Sequence, residues 1–209
     1  MIKSDILIIG AGPVGLFAVF EAGLLKMKCH LIDILPKPGG QCSEIYPKKP
    51  IYDIPAYPEI LADGLIDKLM EQCSQFQPGF TLGERAMTID KQEDNSFIVI
   101  TDKGTKHSAP IVVIAGGLGS FEPRKPLINN IEKYEGFGLE YFIKEPNLFK
   151  NKKVVIAGGG DSALDWAIVL CEIASKVTLI HRRNEFRGAL DSVDKVQQLK
   201  NLNKINIIT

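Results

Sequence analysis

Two stretches of the chain share one rhythm of apolar and polar positions. The unbroken apolar run Ile6-Leu7-Ile8-Ile9 enters the glycine-rich Gly10-Ala11-Gly12-Pro13-Val14-Gly15. Apolar residues then recur at Leu16, Phe17, Val19, Phe20, Leu24 and Leu25, over much of a helical circumference, before a second run closes on Leu31-Ile32-Asp33. This predicts a strand over 5–9, a helix over 13–27 and a strand over 28–33. Continuous apolar strands belong to a parallel sheet covered on both faces, and a helix apolar on several sides packs between that sheet and other elements. The rhythm returns later: Val154-Val155-Ile156-Ala157, then Gly158-Gly159-Gly160-Asp161-Ser162-Ala163, then Leu179-Ile180-His181. A helix is predicted over 161–174, with Asp161 or Ser162 as its cap.

Between the two copies the pattern breaks. Residues 34–60 are dense in proline and carry Tyr46, Tyr52 and Tyr57. A loop that long in a compact domain is usually functional. Leu61, Leu65, Leu69 and Met70 predict a helix over 61–77. From Thr81 the pattern turns to short strands, with turns at Asp94-Asn95-Ser96 and Asp102-Lys103-Gly104, and Ile111 to Ala115 reads as a buried strand. Residues 118–150 are a connector with Pro123, Pro126 and Pro146, residues 185–200 are helical in part, and Ile205, Ile207 and Ile208 form a last strand. The expected fold is α/β: two Rossmann-like dinucleotide-binding domains of the three-layer ββα type in tandem. The first covers 1–117, with a small β-meander at about 81–110. The second covers 118–209 and reads as incomplete, because a domain does not normally finish on a strand without neighbours.

Each glycine loop has a chemical reading. Gly10 permits a tight turn out of the strand, Gly12 lets a pyrophosphate approach the backbone, and Gly15 lets the helix pack closely on the sheet. The helix N-terminus offers free N–H groups and the positive end of a dipole. Asp33, at the end of the second strand, is placed to accept hydrogen bonds from ribose hydroxyls. In the second copy Ala163 replaces the third glycine and the acid is absent. His181-Arg182-Arg183 stands there instead, with Arg187 close behind. Guanidinium groups attract a 2′-phosphate that a carboxylate would repel, which favours NADPH over NADH; a solvated basic turn would carry the same residues. Two different nucleotides on one chain suggest electron transfer between them.

Bulk properties narrow the field. The chain has 209 residues, and 25 Lys and Arg balance 25 Asp and Glu. That neutrality gives no support for general nucleic-acid or membrane binding. The apolar runs are strand-sized, so none spans a bilayer, and Ile6 to Ile9 reads as a first strand rather than a signal peptide. Cys29, Cys42, Cys73 and Cys171 form no Cys-x-x-Cys pair and no zinc spacing. They read as reduced packing thiols of a cytoplasmic protein.

Together with Pro38-Gly39-Gly40-Gln41 and Ala115-Gly116-Gly117, the paired motifs resemble the two-dinucleotide-binding flavoproteins of the thioredoxin reductase type. Four further stretches narrow the likeness: Tyr46-Pro47 with Ile51-Tyr52-Asp53-Ile54-Pro55; Phe121-Glu122-Pro123-Arg124-Lys125; Asp165-Trp166-Ala167; and His181-Arg182-Arg183 with Phe186-Arg187. They resemble the thioredoxin-reductase-like ferredoxin–NADP reductases of bacteria. The resemblance implies an FAD enzyme in which NADPH gives a hydride to flavin N5 and single electrons pass to a ferredoxin or flavodoxin, or the reverse. The flavin, rather than a catalytic side chain, carries the chemistry. It also implies a homodimer. By position, FAD falls to Gly10, Gly12, Pro13, Val14, Gly15, Asp33, Gly40, Gln41, Tyr46 (stacked on the isoalloxazine) and Phe121. NADPH falls to Gly158, Gly159, Gly160, Asp161, Ser162, Ala163, His181, Arg182, Arg183 and Arg187.

Two departures qualify the resemblance. Thioredoxin reductases carry a redox Cys-x-x-Cys just before the second glycine loop, and here Phe137 to Phe149 contains no cysteine. Cys42, near the expected flavin, has no partner at workable spacing and reads as passive. Family members also return to the first domain after the second, supplying a Gly-Asp motif for the ribityl and phosphates and covering the far side of the flavin. That return is expected to be missing here, as in a truncated chain. The alternatives are a disulfide-reducing flavoprotein of the same superfamily, or an inactive remnant or nucleotide-binding module.

Overall fold

A computed structural model describes residues 1–119 and 125–209. The chain forms two compact units, Met1–Lys144 and Glu145–Thr209. The division therefore falls late within the connector expected over 118–150, and most of that segment groups with the first unit, whereas the expected domain boundary was 117/118. Lys144 pairs with Glu44, which ties the end of the connector to the first unit.

The first unit runs β1 (Ile2–Lys3), β2 (Ile6–Ile9), α1 (Pro13–Leu24), β3 (Cys29–Asp33), α2 (Gln41–Glu44), β4 (Pro50–Ile51), β5 (Ile60–Leu61), α3 (Ala62–Ser74), β6 (Gly79–Leu82), β7 (Ala86–Lys91), β8 (Phe97–Thr101), β9 (Lys106–Ala109) and β10 (Ile111–Ile114). Strands β10-β2-β3-β6 form an all-parallel sheet, with Ile8 opposite Leu31 and Val113. Leu7, Ile8 and Leu31 are fully buried, as an apolar run covered on both faces requires. α1 opens on Pro13, whose fixed φ suits the first helical position. It stops at Leu24, before Lys26 takes a left-handed φ of 60°. α1 packs against α3, and Gly23 makes room there for the Phe76 ring, which an added Cβ would strike. Strands β7, β8 and β9 form the antiparallel meander, with β1 added in parallel to β9. The long segment after β3 is not structureless, since it holds α2 and the antiparallel pair β4 and β5.

One expectation changes. Residues 111–114 do form a strand parallel to β2, but an edge strand, and Ile114 is 74% exposed rather than buried.

The second unit runs β11 (Lys153–Ala157), α4 (Asp161–Leu170), β12 (Lys176–Ile180), α5 (Leu190–Asn201) and β13 (Ile205–Ile208). Its three strands are parallel in the order β11-β12-β13. Buried Leu164, Ala167 and Leu170 of α4, Val177 and Leu179 of β12, Val196 of α5 and Ile205 of β13 form its interior. α4 ends four residues before the predicted limit, and it is not capped by Asp161 or Ser162. Gly160 holds the N-cap position and no side chain caps the helix.

Candidate functional site

The first unit builds a cleft where its parallel strands end. Three glycines shape it, for different reasons. Gly10 has φ +109°, and a Cβ there would land on the carbonyl oxygen of Ala115, just past β10. Gly15 would drive a Cβ into the carbonyl oxygen of Gly10, so its absence of a side chain sets the helix close to the strand end. Gly12 differs. A Cβ there would meet only the Cα of Gly40, at an ordinary 3.8 Å. The protein's own packing thus requires Gly10 and Gly15, whereas Gly12 keeps a backbone face open toward the cleft. Gly40, at φ +56°, leans onto Gly12 from the segment between β3 and α2.

The same loop starts α1, and no side chain caps that helix. Pro13 has no N–H, so the amides of Val14 and Gly15 are the first-turn donors without an intrahelical acceptor. They suit an anion at the positive end of the helix. Asp33 is buried and already engaged: Oδ2 accepts from the Ala11 amide at 2.6 Å and Oδ1 from the Leu35 amide at 2.9 Å. A carboxylate has about four lone-pair sites, so roughly two remain for hydroxyl donors.

The cleft encloses about 450 Å³, and its lining brings together Gly10, Gly12, Pro13, Val14, Asp33, Gly40, Gln41 and Tyr46. Phe121 lies outside the described residues. Sequence reasoning missed Glu84, Arg85 and Ala86, which line the cleft where β6 gives way to β7. The Glu84 amide donates to the Asp33 carbonyl at 3.1 Å. Their signal was topological: they follow a parallel strand beside β3, and ligands collect outside the carboxyl ends of such strands. Gly116, Gly117 and Gly119 also line the cleft, and the Gln41 Nε2 lies near Gly117.

Tyr46 is half-buried on the core that holds α1 and α3, and the Lys49 ammonium stands 5.4 Å from its ring centroid. Burial, with the neighbouring Cys42, pushes its hydroxyl up to about 12, so it stays protonated. The Cys42 thiol also lines the cleft, and burial pushes it up, partly opposed by a hydrogen bond with Tyr46. A thiol held neutral is a poor nucleophile. All four cysteines are free.

The second unit repeats the cradle with different trim. Gly158 has φ +155° and donates its amide to the Ile180 carbonyl, and a Cβ on it would crowd Ala163 at 3.0 Å. A Cβ on Gly160 would meet nothing within 4 Å, so this glycine faces open space at an uncapped helix start, where Gly12 has only an ordinary contact with Gly40. Ser162 is exposed in the first turn of α4, and Arg182, Arg183 and Arg187 are exposed in the following loop. The Asp161 carboxylate accepts from the Ala189 amide at 2.7 Å instead of capping the helix. The His181 ring lies directly over Gly159. Among the described residues no acidic or histidine cluster could hold a metal ion, and no helix is long and apolar enough to cross a membrane.

Comparison with known proteins places the chain. Residues 4–209 match the family described as pyridine nucleotide-disulphide oxidoreductase, and the chain belongs to that family. It is 72% identical over its full length to ferredoxin–NADP reductase 1 of Christiangramia forsetii and 72% identical to ferredoxin–NADP reductase of Flavobacterium johnsoniae. It spans 59% and 60% of those two proteins. The crystal structure of Lactococcus lactis thioredoxin reductase is similar, with a TM-score of 0.82 and 28% identity, over 99% of this chain and 64% of that one. The fold is that of the two-dinucleotide-binding flavoproteins.

Proposed function

We propose that this member of the pyridine nucleotide-disulphide oxidoreductase family is the FAD- and NADPH-binding part of a ferredoxin–NADP reductase. The contrast between two cradles of one design carries the reading. Each has an open glycine at an uncapped helix start, but one is flanked by the buried carboxylate of Asp33 and the other by the exposed guanidinium groups of Arg182, Arg183 and Arg187. Hydroxyl donors suit the first flank and a 2′-phosphate the second. The high identity to ferredoxin–NADP reductases supports the same assignment.

In this reading Gly12 admits the FAD pyrophosphate, the amides of Val14 and Gly15 hold it, and Asp33 uses its remaining lone pairs on the ribose. Gly40, Gln41 and Tyr46 lie along the flavin. Gly158, Gly160, Ser162 and Ala163 cradle the NADPH pyrophosphate. A bound flavin supplies the exchange between the paired electrons of the nicotinamide and the single electrons of an iron–sulfur or flavin carrier. Overall, one NADPH and two oxidised ferredoxins give NADP⁺, a proton and two reduced ferredoxins. A ferredoxin or flavodoxin is the partner, the working form is a homodimer, and the compartment is the cytoplasm. The cleft does not favour disulfide reduction: burial raises the Cys42 thiol, and no second cysteine lines the cleft among the described residues.

The test is a flavin spectrum and a reduction assay. The chain, and a form extended to its relatives' length, are purified and their visible absorption recorded. NADPH-driven reduction of ferredoxin is then followed. The extended form should carry FAD and reduce ferredoxin; an extended form without flavin would defeat the assignment.

A further inference from the structure

In the second unit the basic loop is tied to the glycine loop at three points. The His181 ring fills the space a Cβ on Gly159 would need, with three ring atoms 2.5 Å from that position. The ring also meets Phe186, stacked with ring centroids 5.6 Å apart and planes inclined by 24°. The Arg187 amide donates to the Gly159 carbonyl at 2.7 Å, and the Ala189 amide to Asp161 at 2.7 Å. The His181 Nε2 is buried with no hydrogen-bond partner among the described residues. The imidazole meets Gly159 and Phe186 through its ring, and the His181 backbone amide joins β13 through the Ile208 carbonyl.

We infer that His181 and Phe186 are positioning residues. Their stacked rings clamp the loop carrying Arg182, Arg183 and Arg187 against the glycine loop, and this placement sets the preference for a coenzyme with a 2′-phosphate. The inference rests on the NADPH reading of this cradle, and it changes the role of two residues within it. His181 and Asp161 act through the loop rather than on the phosphate. Arginine side chains on an exposed loop lose rotamer freedom when they grip a phosphate. A loop already tied at Gly159 and Asp161 loses less on binding, and that advantage applies only to a ligand that reaches the arginines. The ring pair holds the loop from its start at His181 up to the first of those ties, because Phe186 immediately precedes Arg187.

The probes are 2′,5′-ADP, which is the phosphorylated adenosine half of NADPH, and 5′-AMP, which lacks the 2′-phosphate. Their affinities for the 209-residue chain are measured by calorimetry, with Phe186→Ala and Phe186→Tyr beside the parent. Phe186→Ala should lower the ratio of 2′,5′-ADP to 5′-AMP affinity by about tenfold while the 5′-AMP affinity changes by less than about twofold, and Phe186→Tyr should restore the ratio. A Phe186→Ala chain with an unchanged ratio, or with equal losses for both ligands, overturns the clamp. A parent that binds both ligands alike would instead defeat the NADPH reading, a separate outcome from failure of the clamp.

Discussion

Replacing Asp33 by alanine should destabilise the first unit before any cofactor is considered. The carboxylate holds two backbone amides, Ala11 at 2.6 Å and Leu35 at 2.9 Å. Ala11 is fully buried, so its N–H would be left without water or acceptor. Hydrogen bonds to charged acceptors are worth about 1.5–3 kcal/mol, and a buried donor left unpaired costs about 1–3 kcal/mol. Leu35 is partly exposed, so water replaces much of its bond. Together these give an expected loss of roughly 3 kcal/mol, dominated by Ala11. Urea unfolding followed by far-ultraviolet circular dichroism measures the loss, and amide exchange at Ala11 locates it. Asp33→Asn keeps one acceptor oxygen but turns an NH₂ toward the other amide, so it should fall between parent and alanine. Flavin retention should fall with both variants, because the same carboxylate would lose its ribose contacts and its hold on the loop. A change below about 1 kcal/mol with Ala11 as protected as in the parent would show that the loop is held by something other than Asp33.

Three further predictions follow from the same geometry. Gly12→Ala should leave the fold within about 1 kcal/mol of the parent yet abolish flavin binding, whereas Gly15→Ala should cost roughly 1–3 kcal/mol through its clash with the Gly10 carbonyl; melting temperatures and flavin absorbance of the two variants separate the effects. Arg182→Ala combined with Arg183→Ala should raise the Michaelis constant for NADPH and leave that for NADH nearly unchanged in the extended protein, and equal effects on both would show that these arginines do not read the 2′-phosphate. The last concerns pH. Burial, and then the neighbouring His107, push His30 down to about 4, and burial lowers His107 as well. A histidine held neutral in the fold but free to charge when unfolded contributes stability that is complete above about pH 6.5 and is lost as pH falls toward 4, on the order of 3 kcal/mol for His30. The urea midpoint should therefore drop between pH 7 and pH 4.5, and less so in His30→Asn; a flat profile in the parent would contradict this, and an equal drop in His30→Asn would exclude His30 as its source.

Much of the fold was legible because it is written in local pattern. Apolar runs that enter glycine loops marked β2 and β11, and the runs closing on Asp33 and His181 marked β3 and β12. Helix ends were less legible, since α1 stops where Lys26 takes a left-handed φ, and nothing in the apolar period announces that. Ile111 to Ile114 read as buried because the run is apolar throughout, but its place at the sheet edge depends on strand order. The Asp161 carboxylate was expected at the helix cap and instead receives the Ala189 amide, a partner 28 residues away.

The two strand–glycine–helix units, with the acid on one and the basic run on the other, can be read from residue order alone, because strand and helix periods and short-range turn chemistry are encoded within a few residues. Tertiary packing set the surroundings of those residues. Gly10 and Gly15 yield to neighbouring backbone, Gly12 has only an ordinary contact with Gly40 and Gly160 faces open space; Asp33 is half-spent on its own loop; Glu84 to Ala86 join the cleft; and His181 lies on Gly159. Those surroundings depend on distances between segments far apart in the chain, which are set by packing and not by spacing.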